Sequence, residues 1–229
     1  KTKLKIKNNV LSTKNIINFG LNNEKTKFIF ASSAAVYGAS GNKKVKESKK
    51  CRPLNNYGIS KYKCEKLIIK KLKTKNICFA ILRYFNIVGS VLNFDINKRT
   101  SSVFDIISKK IKDRNYKFNI NGKYLFTSDG TPERDYIHIL DICRIHDKVI
   151  SYLDSKKNII INCGTGKKYS VLKIINNFQQ KTNNSFKISF NVTNKKEASS
   201  ICANTNILKI KLGYKIKQNK LKSLIQDYI

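Results

Sequence analysis

Apolar positions along the chain gather into short runs, separated by stretches with helical spacing. "KFIFASS" (27–33) reads as a buried strand that ends in small residues. A helix is expected over roughly 54–73, then a strand "ICFAILRYFN" (77–86), then a helix near 101–113. "NIIINCG" (158–164) is a further strand, stopped by Gly164 and Gly166. Residues 171, 172, 174, 175 and 178 are apolar, which predicts a helix over 170–182 with Ser170 as its N-cap. "FKISFNV" (186–192) is expected to be the last strand. There is no internal repeat and no low-complexity linker. Alternation of this kind predicts an α/β fold, a doubly wound parallel sheet with helices on both faces. Ligands of such sheets sit beyond the carboxyl ends of the strands.

Length and composition narrow the classes. A chain of 229 residues has room for one or two domains. No apolar run approaches the ~18 residues of a membrane span, and the N-terminal stretch has no signal-peptide pattern. The chain opens on Lys1 and holds no Met, so it is expected to be trimmed or incomplete. The formal charge of +33 first suggests a nucleic-acid binder. Its make-up argues otherwise. Arginine, the preferred residue for bidentate phosphate contacts, occurs only at 52, 83, 99, 114, 134 and 144, and the lysines are dispersed. Lys, Asn and Ile, the residues of A/T-rich codons, are inflated together, so genome composition explains the charge and no nucleic-acid partner is expected. The charge would still attract an anionic substrate such as a nucleotide diphosphate. The six cysteines form no Cys-x-x-Cys and there are two histidines, so no metal site is expected. Reduced thiols in a cytoplasmic protein are the ordinary reading.

Chemistry enters with "NNYGISKYKCEKLI". Tyr57 and Lys61 stand one helical turn apart and share a face. On its own the pattern is weak, because Tyr and Lys are abundant here. Two strand ends strengthen it, Ser33 after "FIFAS" and Asn86 after "LRYF". A free tyrosine titrates near pH ~10, and a neighbouring ammonium favours the phenolate. With Ser33 holding a substrate alcohol, Tyr57 and Lys61 form a set able to take its proton while a nicotinamide takes the hydride.

"FIFASSAAVYG", "NNYGISKYKCE", "ILRYFNIVG" and "DGTPERDYIHILDIC" occur in this order. Together they resemble the extended short-chain dehydrogenase/reductase family, and within it the UDP-glucose (UDP-galactose) 4-epimerases, from "NNV" (8–10) to "ANTNILKIKLGYK" (203–215). The resemblance implies a Rossmann-like fold and a tightly bound NAD. It implies a UDP-sugar substrate inverted at C4 by transient oxidation. Tyr57, Lys61 and Ser33 match the catalytic residues, and Asn9 and Phe85 match positions near the nicotinamide. Asn86 and Arg134 match contacts to the UDP diphosphate. Residues 1–90, with 135–164 returning to them, are expected to form the cofactor domain. Residues 91–134 and 165–229 are expected to form the UDP-sugar region. Relatives often pair as homodimers through helices, and the 54–73 helix is the candidate for that role. Ala34 and Ala35 stand where related dehydratases carry an acidic pair, which disfavours dehydration. UDP-pentose 4-epimerases share nearly all of these motifs and remain an alternative.

The departures are specific. There is no Gly-x-x-Gly-x-x-Gly turn to cradle a pyrophosphate. Lys1 falls well inside the family pattern, so the first strands are expected to be missing and the chain alone is expected to hold NAD poorly. The family's Arg-Arg-x-Gly-Asp segment reads "NKKEASS", with Lys196 and Glu197 as stand-ins. An asparagine–leucine pair reads Ser102-Val103, and an aromatic expected near the uracil falls on Asn121. A degenerate, inactive remnant is therefore the competing reading.

Overall fold

The computed structural model describes residues 2–23, 25–41, 43–89, 102–155, 157–191 and 198–229. Strands β1 (Phe28–Ser33), β2 (Phe79–Tyr84) and β6 (Ile159–Cys163) form a parallel sheet in the order β1-β2-β6. The central strand β2 is apolar on both faces. Phe79 and Ile81 pack with Ile17 of helix α1 (Thr2–Gly20) and with Ile68 and Leu72 of α2 (Asn56–Thr74). Ala80 and Leu82 belong to the opposite core, with Ile142, Ile145 and Val149 of α4 (Ile139–Asp154) and Leu208 of α6 (Asn206–Leu212). Successive side chains of a strand point to opposite faces, so burial on both sides demands a continuous hydrophobic run. Each large aliphatic buried this way contributes ~1.5–3 kcal/mol. Strand β1 lies at the sheet edge, with β2 its one partner among the described strands.

A second sheet joins β3 (Asn86–Val88), β5 (Glu133–His138) and β7 (Lys168–Ser170), and β9 (Ser200–Ile201) also pairs with β5. Strands β4 (Lys117–Asn121) and β8 (Lys187–Asn191) form a separate parallel pair. Helices α3 (Val103–Lys112), α5 (Val171–Thr182) and α7 (Leu221–Ile225) enclose an aromatic core. In it Phe104 meets the rings of Tyr136 and Phe178 edge-on, at 5.2 and 5.7 Å.

The α/β class and the parallel β1-β2-β6 sheet agree with the hydrophobic pattern. So does Ser170, whose side chain accepts from the Lys173 amide at the start of α5. The pattern misreads two places. The run 77–86 is not one strand: the Phe85 amide bonds the Cys163 carbonyl at 3.0 Å, and Asn86 opens β3 in the other sheet. Strand β8 is not the last, because β9 follows it. Among the described residues, no helix is long and apolar enough to cross a membrane, and no cluster of three or more His, Cys, Asp or Glu stands ready for a metal.

Candidate active site

Strands β1 and β2 end side by side, Ser33 opposite Tyr84. Just beyond them lies a cavity of about 600 Å³, within the range of small-ligand sites. Ser33, Tyr57, Phe85, Asn86, Ser102 and Arg134 all line it. Six positions scattered between 33 and 134 in sequence thus converge on one space.

Local rules place each of them. Ser33 caps a 3₁₀ turn, Ala34–Tyr37, and its Oγ accepts from the Ala35 amide at 3.2 Å. The Asn55 side chain accepts from the Gly58 amide at 2.8 Å and so starts α2. Tyr57 therefore sits in the first helical turn, 53% exposed, with its ring on the cavity wall. Gly58 permits the close approach of α2 to the 3₁₀ turn. A Cβ there would lie 2.4 Å from the Ala35 carbonyl oxygen, a backbone atom that cannot swing away. Gly58→Ala is expected to push α2 off the Ser33 turn, lowering Tm and turnover together. A thermal melt and an assay that both match the native chain would contradict this.

Lys61 lies one turn below Tyr57. Its Nζ donates to the Ala31 carbonyl at 2.8 Å and stands 5.0 and 5.8 Å from the ring centroids of Phe30 and Tyr57. Burial pulls its ammonium below the usual lysine range. The cation is thus held beside the Tyr57 ring and behind the cavity wall.

Asn86, Ser102 and Arg134 share one cavity wall. Arg134 Nη1 donates to the carbonyls of Glu133 and Ser199, at 2.9 and 3.2 Å, and the side chain lines the cavity. Ser102 caps α3 in a reciprocal box. Its Oγ accepts from the Asp105 amide, and its own amide donates to the Asp105 carboxylate at 2.9 Å. The N-terminus of a ten-residue helix therefore opens near the cavity, where its dipole favours an anion.

Two expected positions stand apart. Asn9 lies on α1, and its Nδ2 donates to Ser60 Oγ at 3.1 Å. Val103 packs against the aromatic core around Phe104. Lys196 and Glu197 fall outside the described residues. The sequence pattern also missed three contributors, Gly58, Asp105 and Tyr228. The last two line the cavity. Glycine after the tyrosine was a readable signal for close packing. A C-terminal tyrosine carried none.

A parallel sheet with a cavity at its carboxyl ends is the arrangement in which open α/β folds bind their ligands. The model of the "NAD dependent epimerase/dehydratase family" matches residues 2–164, and the chain belongs to that family. The chain is 30% identical to a UDP-glucose 4-epimerase of Mycoplasma genitalium, covering 96% of this chain and 66% of that protein. It is 28% identical to one from Rhizobium meliloti, covering 90% and 64%. Among solved structures, it resembles a Stenotrophomonas maltophila UDP-glucose-4-epimerase with bound NAD and formylated UDP-arabinopyranose. That match has a TM-score of 0.77 and 27% identity, over 89% of this chain and 62% of the other. The Brucella ovis UDP-glucose 4-epimerase in complex with NAD shares the fold, with a TM-score of 0.87 at 24% identity, over 96% of this chain and 69% of the other. The chain thus spans about two thirds of the length of these relatives or slightly less.

Proposed function

We propose that the full-length protein is an NAD-dependent UDP-sugar 4-epimerase, with UDP-glucose and UDP-galactose as the favoured pair. The observation that carries the reading is the convergence of Ser33, Tyr57, Phe85 and Arg134 on one cavity at the strand ends. The region around β1-β2-β6 would hold the cofactor, and the region around α3, α5 and β5 the UDP-sugar. A homodimer through paired helices belongs to the same proposal.

In this reading Ser33 Oγ holds the sugar 4-hydroxyl and the Tyr57 phenolic oxygen takes its proton, returning it when C4 is inverted. NAD, when bound, supplies the hydride acceptor and donor at C4. Lys61 and Phe85 would hold its nicotinamide end, whereas the sequence offers no glycine-rich turn for its pyrophosphate. Residues 1–229 alone are therefore expected to hold NAD weakly. Arg134, Asn86 and the α3 N-terminus would bind the diphosphate, a planar guanidinium fork suiting that anion. Among the described lining residues the one carboxylate is Asp105, and it is engaged in capping α3. Among the described residues no free acid is thus placed to expel a sugar hydroxyl, which favours epimerisation over dehydration.

The cation beside Tyr57 gives a pH test. Lys61→Ala in the full-length protein should change the alkaline side of the pH–rate profile, since the site loses the cation held 5.8 Å from the Tyr57 ring centroid. In the native protein the contribution of Lys61 is present while its ammonium is charged. Because burial lowers its pKa, that contribution fades at a lower alkaline pH than an exposed lysine would allow. Lys63→Ala, at an exposed position on the same helix, should leave the profile in place. Identical pH–rate profiles for both variants would contradict the role of Lys61.

A further inference from the structure

Tyr57, Lys61 and Glu65 repeat every four residues and share one face of α2. Glu65 is 1% exposed, and its carboxylate is the meeting point of three elements. Ser32 Oγ donates to Oε1 at 2.5 Å. Arg83 forks onto the same group, Nε to Oε1 at 3.0 Å and Nη2 to Oε2 at 2.7 Å. Ser32 directly precedes Ser33 on β1, and Arg83 precedes Tyr84 and Phe85 at the end of β2. Each partner is thus one or two residues from a cavity-lining position. Arg83 Nη1 continues the network to Tyr37 Oη at 2.9 Å and to the Glu47 carbonyl at 3.0 Å. Tyr37 Oη in turn donates to Asn162 Oδ1 on β6 at 2.6 Å. The network therefore spans all three strands of the first sheet and the helix bearing Tyr57.

Burial works against the Arg83 charge, but Glu65 and Tyr37 more than offset it and hold its pKa above the usual arginine range. A buried pair of this kind adds little net stability over apolar replacements. What it adds is geometry, because two parallel bonds of a rigid fork fix distance and angle together.

We propose that Glu65 and Arg83 are positioning residues that set the distance of Ser33 and Phe85 from Tyr57. The proposal deepens the epimerase reading and rests on it for its kinetic arm only. Two variants of the full-length protein separate positioning from bulk stability. Glu65→Gln leaves the buried Arg83 charge unpaired and should lower Tm by about 10 °C. Glu65→Met with Arg83→Met removes both charges and should recover most of that loss.

In the double variant, amide exchange at 33–37 and 56–61 should still run about tenfold faster than native, with exchange in α5 unchanged. Its kcat should stay about 10–100-fold low with KM for the UDP-sugar nearly constant, as for a misplaced reacting group. Native exchange and kcat returning together with Tm would overturn the proposal. If the double variant does not fold, Arg83→Lys decides, since it keeps the charge and loses the fork. Faster exchange at both segments supports positioning, and native exchange refutes it. A native protein without epimerase turnover would sink the functional reading, while the exchange measurement would still decide the network's role.

Discussion

Tyr57→Phe in the full-length protein is expected to cut 4-epimerase turnover by about 10²–10⁴-fold, the usual contribution of a positioned acid–base group. The phenyl ring keeps the van der Waals surface that Tyr57 presents to the cavity and loses only the oxygen that moves the proton. The residue is half-exposed and stands in the first turn of α2, so the fold does not depend on its hydroxyl. Tm and NAD affinity should therefore match the native protein. Near-normal turnover would show that Tyr57 does not move the proton. A turnover loss accompanied by a large fall in Tm would assign the effect to folding instead.

Asp135→Ala is expected to be the most damaging change to stability. The side chain is fully buried on β5 and ties two other segments, 165–166 and 203, to that strand. Oδ1 accepts from the Thr165 amide at 2.8 Å and the Thr165 hydroxyl at 2.6 Å. Oδ2 accepts from the amides of Gly166 and Ala203, at 2.9 and 3.0 Å. Burial pushes the carboxyl up, and these donors work against that shift. Alanine would orphan the two buried amides of Gly166 and Ala203 at a cost of ~1–3 kcal/mol each. The sum of about 2–6 kcal/mol approaches the whole stability of many domains. Asp135→Asn would not rescue the site, because its Nδ2 would face N–H groups. Chemical denaturation should place both variants well below the native midpoint, and an unchanged midpoint would refute the role. Asp135 adjoins Arg134, and Gly164 packs against both Asp135 and Phe85, so the same lesion should loosen the cavity.

These two residues show what was readable in the sequence. Tyr57 was legible because a catalytic pair must share a helix face, and the spacing of four displays that directly. Strands β2 and β6 were legible because burial on both faces forces a continuous apolar run; β1 shows a similar run but is not the buried strand expected, because it lies half-exposed at the sheet edge. Asp135 was not legible. Strand β5 reads "ERDYIH", and Asp135 within it is buried only because tertiary partners from 165, 166 and 203 satisfy it. Helix α1 was hidden for the opposite reason. Its exposed positions mix lysine and asparagine with Leu11, Ile16 and Phe19, and few of its apolar residues, Ile17 among them, reach the core. The break at Phe85 was hidden too, since nothing local says that a run of apolar residues changes sheets midway. Of the site positions, Ser33, Tyr57, Phe85, Asn86, Ser102 and Arg134 line one cavity, whereas Asn9, Lys61 and Val103 are not among its lining residues.

The most direct test is to give the full-length protein UDP-galactose deuterated at C4, with NAD present, and follow the product by NMR. Formation of UDP-glucose with deuterium retained at C4 is expected, since inversion by transient oxidation removes and returns the same hydrogen. Conversion with loss of the label to water would contradict that chemistry. No conversion of UDP-galactose or any other UDP-sugar would contradict the epimerase reading itself.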